Sequence, residues 1–109
     1  MDEPVVVLIT TGDREEGERV ATALLEARLA AGVNFLPGIT SLFWWKGKID
    51  RAEELLLLVK TRRSLMPRLL EAVRAVHSYE VFSALAVPIV EGSPAYLDWI
   101  RNATAEGSG

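Results

Sequence analysis

Residues 42–61 read LFWWKGKIDRAEELLLLVKT, two apolar runs either side of a polar segment with Gly47 near its middle. This is the local pattern of a β-hairpin, with Lys46-Gly47-Lys48 as its turn. An unbroken second arm from Ile49 to Thr61 would span roughly 44 Å at ~3.4 Å per residue, whereas most strands stop at about ten residues. Side chains alternate across a strand, so Leu55, Leu57 and Val59 face one side and Leu56 and Leu58 the other. Leu42 and Trp44 divide from Phe43 and Trp45 in the same way. A hairpin that is apolar on both faces must be covered on both, and that requirement limits the folds open to this chain.

The remaining segments supply one covering layer. Val5 to Thr10 is a continuous β-branched run, the pattern of a central strand covered on both faces. Thr11-Gly12-Asp13 turns the chain into a helix that runs to about Ala31. Glu15, Glu16 and Glu18 lie where the helix macrodipole favours negative charge, Val20, Leu24, Ala27 and Ala31 form the apolar stripe, and Arg28 falls on the polar face. Gly32 is expected to end this helix with a positive φ. Val33 to Trp45 is the first hairpin arm, bent or bulged at Pro37-Gly38 because proline cannot donate a ladder hydrogen bond.

After the second arm, Ser64 is expected to cap another helix, with Pro67 in its first turn and Leu65, Leu69, Val73 and Val76 as its buried stripe. A loop, His77-Ser78-Tyr79-Glu80, leads to a fourth strand from Ala84 to Val90, in which Pro88 marks an edge or a bulge. Ser93-Pro94 then opens a short helix from Ala95 to Asn102. The order predicts an α+β fold, a ferredoxin-like βαββαβ two-layer sandwich with a long β-hairpin and a short C-terminal helix. Residues 1–102 are expected to form one domain, and 103–109 a disordered tail.

With both main helices on one face, the other face of the sheet stays bare. The second arm also overhangs a helix of roughly 24 Å by about 20 Å. Another subunit is the expected cover, which makes the chain a homo-oligomer.

Composition removes several function classes. The 109 residues include no cysteine, so there are no disulfides or thiolate metal sites, and a reducing, cytoplasmic location is expected. The start MDEPVVVLITTG lacks the basic region of a signal peptide, and no apolar run approaches the ~20 residues of a membrane span. A formal net charge of −3 argues against a nucleic-acid partner. The central strands VVVLIT and ELLLLVKT carry no aromatics on which bases could stack. Arg14 stands in TTGDREEG, too acidic and too poor in glycine to cradle an acyl phosphate. With a single histidine and no activated nucleophile, no catalytic triad can be built within one chain, and the protein is read as non-enzymatic.

The residues left with chemistry to offer are Trp45, Lys60, His77 and Tyr79, with the carboxylates Asp50, Glu53 and Glu54. His77 suits metal ligation or pH sensing, and equally suits a hydrogen-bonded role closing the second helix. In a symmetric assembly a neighbour's carboxylates could complete a histidine–carboxylate site of borderline hardness. Lys60 could be a strand end reaching for water, and Glu53 and Glu54 could be charges guarding a sheet edge. The basic residues Lys60, Arg62, Arg63 and Arg68 read first as a solvated loop and helical turn.

ARLAAGVNFLPGITSLFWWKGKI, ELLLLVKT, HSYE and YLDWI occur in this order from about Val5 to Trp99, and in them the chain resembles the CutA family of divalent-cation tolerance proteins. The resemblance implies a ferredoxin-like homotrimer, similar to PII-type signalling proteins and associated with copper or other divalent cations, while the two-sided apolar hairpin leads us to expect that the assembly resists heat. It directs attention to Trp45, Lys60 and Tyr79 as cleft-binding residues and to His77 and Glu54 as ligands for weakly held Cu²⁺. The chain departs from the family pattern at Gly32, where cysteine is usual, at Ser78, where proline is usual, and at Phe82-Ser83, where Pro-Glu is usual. A second reading is a PII-like signalling or interaction scaffold whose intersubunit clefts take a small anionic metabolite, served by Lys60, Arg62 and Arg63.

Overall fold

Four strands and three helices make up the computed structural model, which describes residues 2–105. In chain order they are β1 (Pro4–Thr11), α1 (Arg14–Glu26), β2 (Gly32–Trp45), β3 (Lys48–Arg62), α2 (Met66–Val76), β4 (Ala84–Pro88) and α3 (Pro94–Ala103), with a 3₁₀ turn at Arg63–Leu65 leading into α2. The strands form one antiparallel sheet in the order β2-β3-β1-β4, which is the ferredoxin-like arrangement. Among the described residues no helix is long and apolar enough to cross a membrane.

The core follows from strand alternation. Val5, Val7 and Ile9 of β1 and Leu55, Leu57 and Val59 of β3 point to one side, where Val20 and Leu24 of α1 and Leu69 and Val73 of α2 close over them. Each fully buried Leu, Ile or Val contributes about 1.5–3 kcal/mol relative to exposure. Gly17 lets α1 approach β3 closely, since a Cβ there would stand 2.3 Å from Leu55 Cδ2.

Helix α1 is shorter than the periodicity suggests. It stops at Glu26, and the left-handed residue after it is Arg28, with φ 60°, in place of Gly32. Arg28 N–H donates to the Leu25 carbonyl at 3.1 Å and Leu29 N–H to the Leu24 carbonyl at 2.8 Å, the paired bonds of a Schellman motif. Leu24 and Leu29 are both buried, supplying the hydrophobic contact that accompanies such an ending. The Arg28 guanidinium repays part of the strain by donating to the Ala103 carbonyl at 3.2 Å. Gly32 instead opens β2, where a Cβ would lie 3.1 Å from the Trp99 ring.

Ser64 does not cap α2 with its side chain. Its N–H donates to Asp2 Oδ1 at 3.1 Å and its hydroxyl donates to Asp2 Oδ2, so the serine ties the start of the chain to the end of β3. Strand β4 is also shorter than expected, ending at Pro88, with Ile89 N–H donating to the Pro4 carbonyl at 3.2 Å. Helix α3 reaches Ala103, and Ala105 N–H donates to the Arg28 carbonyl at 2.7 Å. Residues 106–109 of the expected tail lie outside the described residues.

The hairpin turn is a two-residue one. Trp45 pairs with Lys48, and Lys46 and Gly47 carry φ of 50° and 80°, the double positive φ whose twist matches that of the flanking strands. A bulge interrupts β2, with Leu36 opposite Leu56 and Ile39 opposite Glu54, so that Pro37 and Gly38 face the single residue Leu55. Gly38 has φ 77°, a conformation a proline-preceded bulge obtains most cheaply from glycine. Strand β1 ends at Thr11 opposite Leu55, so the hairpin from Ile39 to Glu54 projects beyond its sheet neighbours. On this projection Leu42, Trp44 and Ile49 are exposed by 68%, 72% and 65%.

Candidate functional site

The corner where β1 stops and the hairpin continues is filled by the loop between α2 and β4. Its foundation is Glu16, a nearly enclosed carboxylate in the first turn of α1. Asp13 Oδ1 caps the helix by accepting from Glu16 N–H at 2.9 Å. The Glu16 carboxylate accepts from Gly12 N–H at 3.1 Å and from Ser78 N–H at 2.6 Å, fastening the helix start to the loop. Burial alone would raise the pKa of Glu16, but the hydrogen bonds from Ser78 and Gly12 outweigh it and hold the carboxyl below its ordinary value. Proline at this position would have no N–H for this bond.

His77 ends α2, its N–H donating to the Val73 carbonyl at 2.8 Å. Its side chain is fully enclosed. Nε2 lies 2.8 Å from the Thr10 carbonyl oxygen, and Tyr79 N–H donates to Nδ1 at 3.1 Å. A carbonyl oxygen only accepts and a backbone N–H only donates, so the ring is assigned as the neutral tautomer with hydrogen on Nε2. Phe82 stacks on it at 5.5 Å and Tyr79 tilts against it at 4.6 Å. Both nitrogens are therefore committed within the chain.

Tyr79 carries the network outward. Its hydroxyl donates to Glu54 Oε2 at 2.5 Å, just past the end of β1. Burial first, and then the Glu54 carboxylate, push the Tyr79 phenol well above its usual pKa. Beyond the pair opens a cavity of about 420 Å³, walled by Phe43, Trp45, Asp50, Glu54, Tyr79 and Glu80. The bulge makes this wall. Phe43 pairs with Asp50 and Trp45 with Lys48, which places both aromatics on the face that Glu54 shares.

The structure thus brings Trp45, Glu54 and Tyr79 to one cavity and sets His77 behind Tyr79. Lys60 lies elsewhere. It pairs with Gly32 and Val6 in the sheet, and burial lowers its pKa. Two further cations of the basic segment are engaged locally, Arg62 with Asp2 at 3.4 Å and Arg63 with Glu3 at 2.9 Å. Arg14 sits over the Phe35 ring and pairs with Glu18 at 3.5 Å. Among the described residues no group of three or more His, Cys, Asp or Glu side chains is placed to hold a metal ion. With both His77 nitrogens bonded and Glu54 bonded to a phenol, these donors as placed do not fit a resident metal.

Glu16 is the residue that sequence reasoning passed over, treating it as one of three helix-start charges. The signal was the spacing Asp13-x-x-Glu16, that of a capping box. Here the glutamate reaches back to Gly12 and across to Ser78, a loop far away in sequence.

A family model described as CutA1 divalent ion tolerance protein matches residues 5–103. Over 99 residues the chain is 50% identical to the divalent-cation tolerance protein CutA of Thermus thermophilus, covering 91% of this chain and 96% of that protein. It is 44% identical over 102 residues to the chloroplastic protein CutA 1 of Oryza sativa, covering 94% of this chain and spanning 58% of the rice protein. The solved Thermus thermophilus structure superimposes with a TM-score of 0.91 at 48% identity, covering 94% of this chain and 99% of that one. The Oryza sativa CutA1 crystal structure gives 0.92 at 43% identity, covering 96% of each chain.

Proposed function

Because the chain belongs to the CutA1 divalent ion tolerance family, we propose that it serves tolerance of divalent cations as a homotrimer, without catalytic chemistry of its own. The observation that carries the assembly is the projecting hairpin. Leu42, Trp44 and Ile49 lie bare along it, and Leu36, Leu85 and Val87 are exposed along the sheet that continues from it. Apolar surface of this extent is covered in a stable soluble protein, and a second and third copy are the cover that closed symmetry provides.

Association with Cu²⁺ or another divalent cation is weak in this reading. His77 would become a ligand only by releasing Tyr79 N–H or the Thr10 carbonyl, and Glu54 only by sharing its carboxylate with the Tyr79 phenol. Tight Cu(I) binding has no thiolate to support it. The absence of cysteine fits the reducing cytoplasm, although the solved relative from Archaeoglobus fulgidus is described as periplasmic.

Sedimentation at low micromolar concentration tests the assembly, and a folded, soluble monomer would overturn it. A Cu²⁺ titration of the parent and of His77→Ala tests the second statement. Submicromolar binding that vanishes with the imidazole would show that the ring is free to ligate.

A further inference from the structure

We propose that the cavity beneath the hairpin tip is a binding site for a small organic cation of the alkylammonium class. Its volume of about 420 Å³ lies within the range of about 300–1,000 Å³ typical of small-molecule sites. Three aromatic residues, Phe43, Trp45 and Tyr79, line it together with three carboxylates, Asp50, Glu54 and Glu80. Arg51 is the basic side chain on the same wall, and its guanidinium is turned to Glu53 at 3.3 Å.

The lining decides among ligand classes. An anion would meet three carboxylates, and the basic side chain that lines the cavity, Arg51, is already paired with Glu53. A transition-metal ion would find neither thiolate nor free imidazole. An ammonium group is matched by both parts of the wall, because aromatic faces attract cations through the ring quadrupole and carboxylates accept charge-assisted hydrogen bonds from N–H donors. The chain already shows that attraction, since Lys46 Nζ lies 5.8 Å from the centroid of the Trp45 ring. Glu54 is only 9% exposed, and the Tyr79 hydroxyl holds its carboxylate in place, so one wall of the site is preorganised before any ligand arrives. The named lining residues belong to one chain and lie on the sheet face that the proposed trimer covers, so the site goes beyond the reading of the protein as a cation-tolerance trimer and rests on that trimer leaving the mouth of the cavity open.

The test titrates the full-length protein with 1,4-diaminobutane and, as a neutral match of equal length, with butane-1,4-diol, following tryptophan emission and heat. Saturable binding of the diamine without binding of the diol is expected. Glu54→Gln and Trp45→Leu should each weaken it about tenfold or more. Asp50→Asn, at an exposed position, should weaken it severalfold with the melting temperature unchanged. Glu71→Gln on α2, away from the cavity, should leave it intact. Equal binding of the diol, diamine binding indifferent to Glu54→Gln and Asp50→Asn, or stoichiometric displacement of the diamine by Zn²⁺ would overturn the proposal. So would the absence of saturation, and in that case the trimer would still be judged by sedimentation alone.

Discussion

The phenol of Tyr79 donates to Oε2 of Glu54 across 2.5 Å, joining the loop after α2 to a strand residue 25 positions earlier. The contact forms where β1 has run out and β3 would otherwise present a buried carboxylate with no donor.

Tyr79→Phe keeps the ring and removes that donor. Leaving a shielded carboxylate short of a hydrogen bond should cost about 1–3 kcal/mol of unfolding free energy. Urea denaturation at neutral pH measures it. An unchanged midpoint would mean that water replaces the hydroxyl.

The same residue shapes the alkaline limb. Its folded pKa is raised above the ordinary 10.0, so the neutral phenol favours the folded state. The associated stability is fully present below pH 10 and is lost as pH rises through the folded value. Stability curves of parent and Tyr79→Phe should therefore converge above pH 10, and parallel curves would refute the assignment.

Glu16 acts at the opposite limb. Its folded pKa is depressed below the ordinary 4.5, so its contribution is present above that value and is lost as pH falls through the folded one. Glu16→Gln should lower stability at neutral pH and flatten the acid limb. Asp2, also depressed, titrates in both proteins and leaves the difference to Glu16. A variant as stable as the parent at neutral pH would remove Glu16 from its role as the loop's anchor.

Gly17→Ala offers a test of packing against propensity. Alanine is the better helix former by about 0.8–1.0 kcal/mol, but its Cβ would stand 2.3 Å from Leu55 Cδ2. Overpacking of this kind typically costs about 1–3 kcal/mol. A net loss in thermal stability is expected, and a gain would show that the α1–β3 contact yields easily.

Trp44→Asp separates chain stability from assembly. Trp44 is 72% exposed within one chain, so the substitution should leave the isolated fold intact while placing a charge in any intersubunit contact. The expected outcome is a folded monomer or dimer of lower melting temperature. A variant that sediments and melts as the parent does would show the projecting hairpin to be uncovered.

The hairpin, the sheet order and the helix-facing core were legible because alternation and β-branching report directly on which residues strands bury. Gly32 misleads for the same reason that Arg28 escapes notice in the sequence. Glycine is the cheap residue for a positive φ, and only the fold reveals that Arg28 adopts one while Gly32 makes room for Trp99. Trp45, Glu54 and Tyr79 could be nominated from the sequence, but their convergence depends on a bulge and on where β1 ends. Ser64 pointed to a helix cap on local grounds, whereas its partner, Asp2, lies 62 positions away, beyond the reach of local pattern.

Pro37 and Gly38, set against the single residue Leu55, work as a parity switch. Below the bulge, odd-numbered residues of β2 share a face with the core. Above it, the odd-numbered Phe43 and Trp45 stand on the opposite face, beside Glu54. The turn pairs Trp45 with Lys48 and β3 alternates without interruption, so deleting one residue here would straighten the ladder while every tip pair kept its face. The extra residue thus bends and twists β2 at the level where β1 ends, so this dipeptide sets the direction in which the outer hairpin leaves the sheet without deciding which side chains its faces carry.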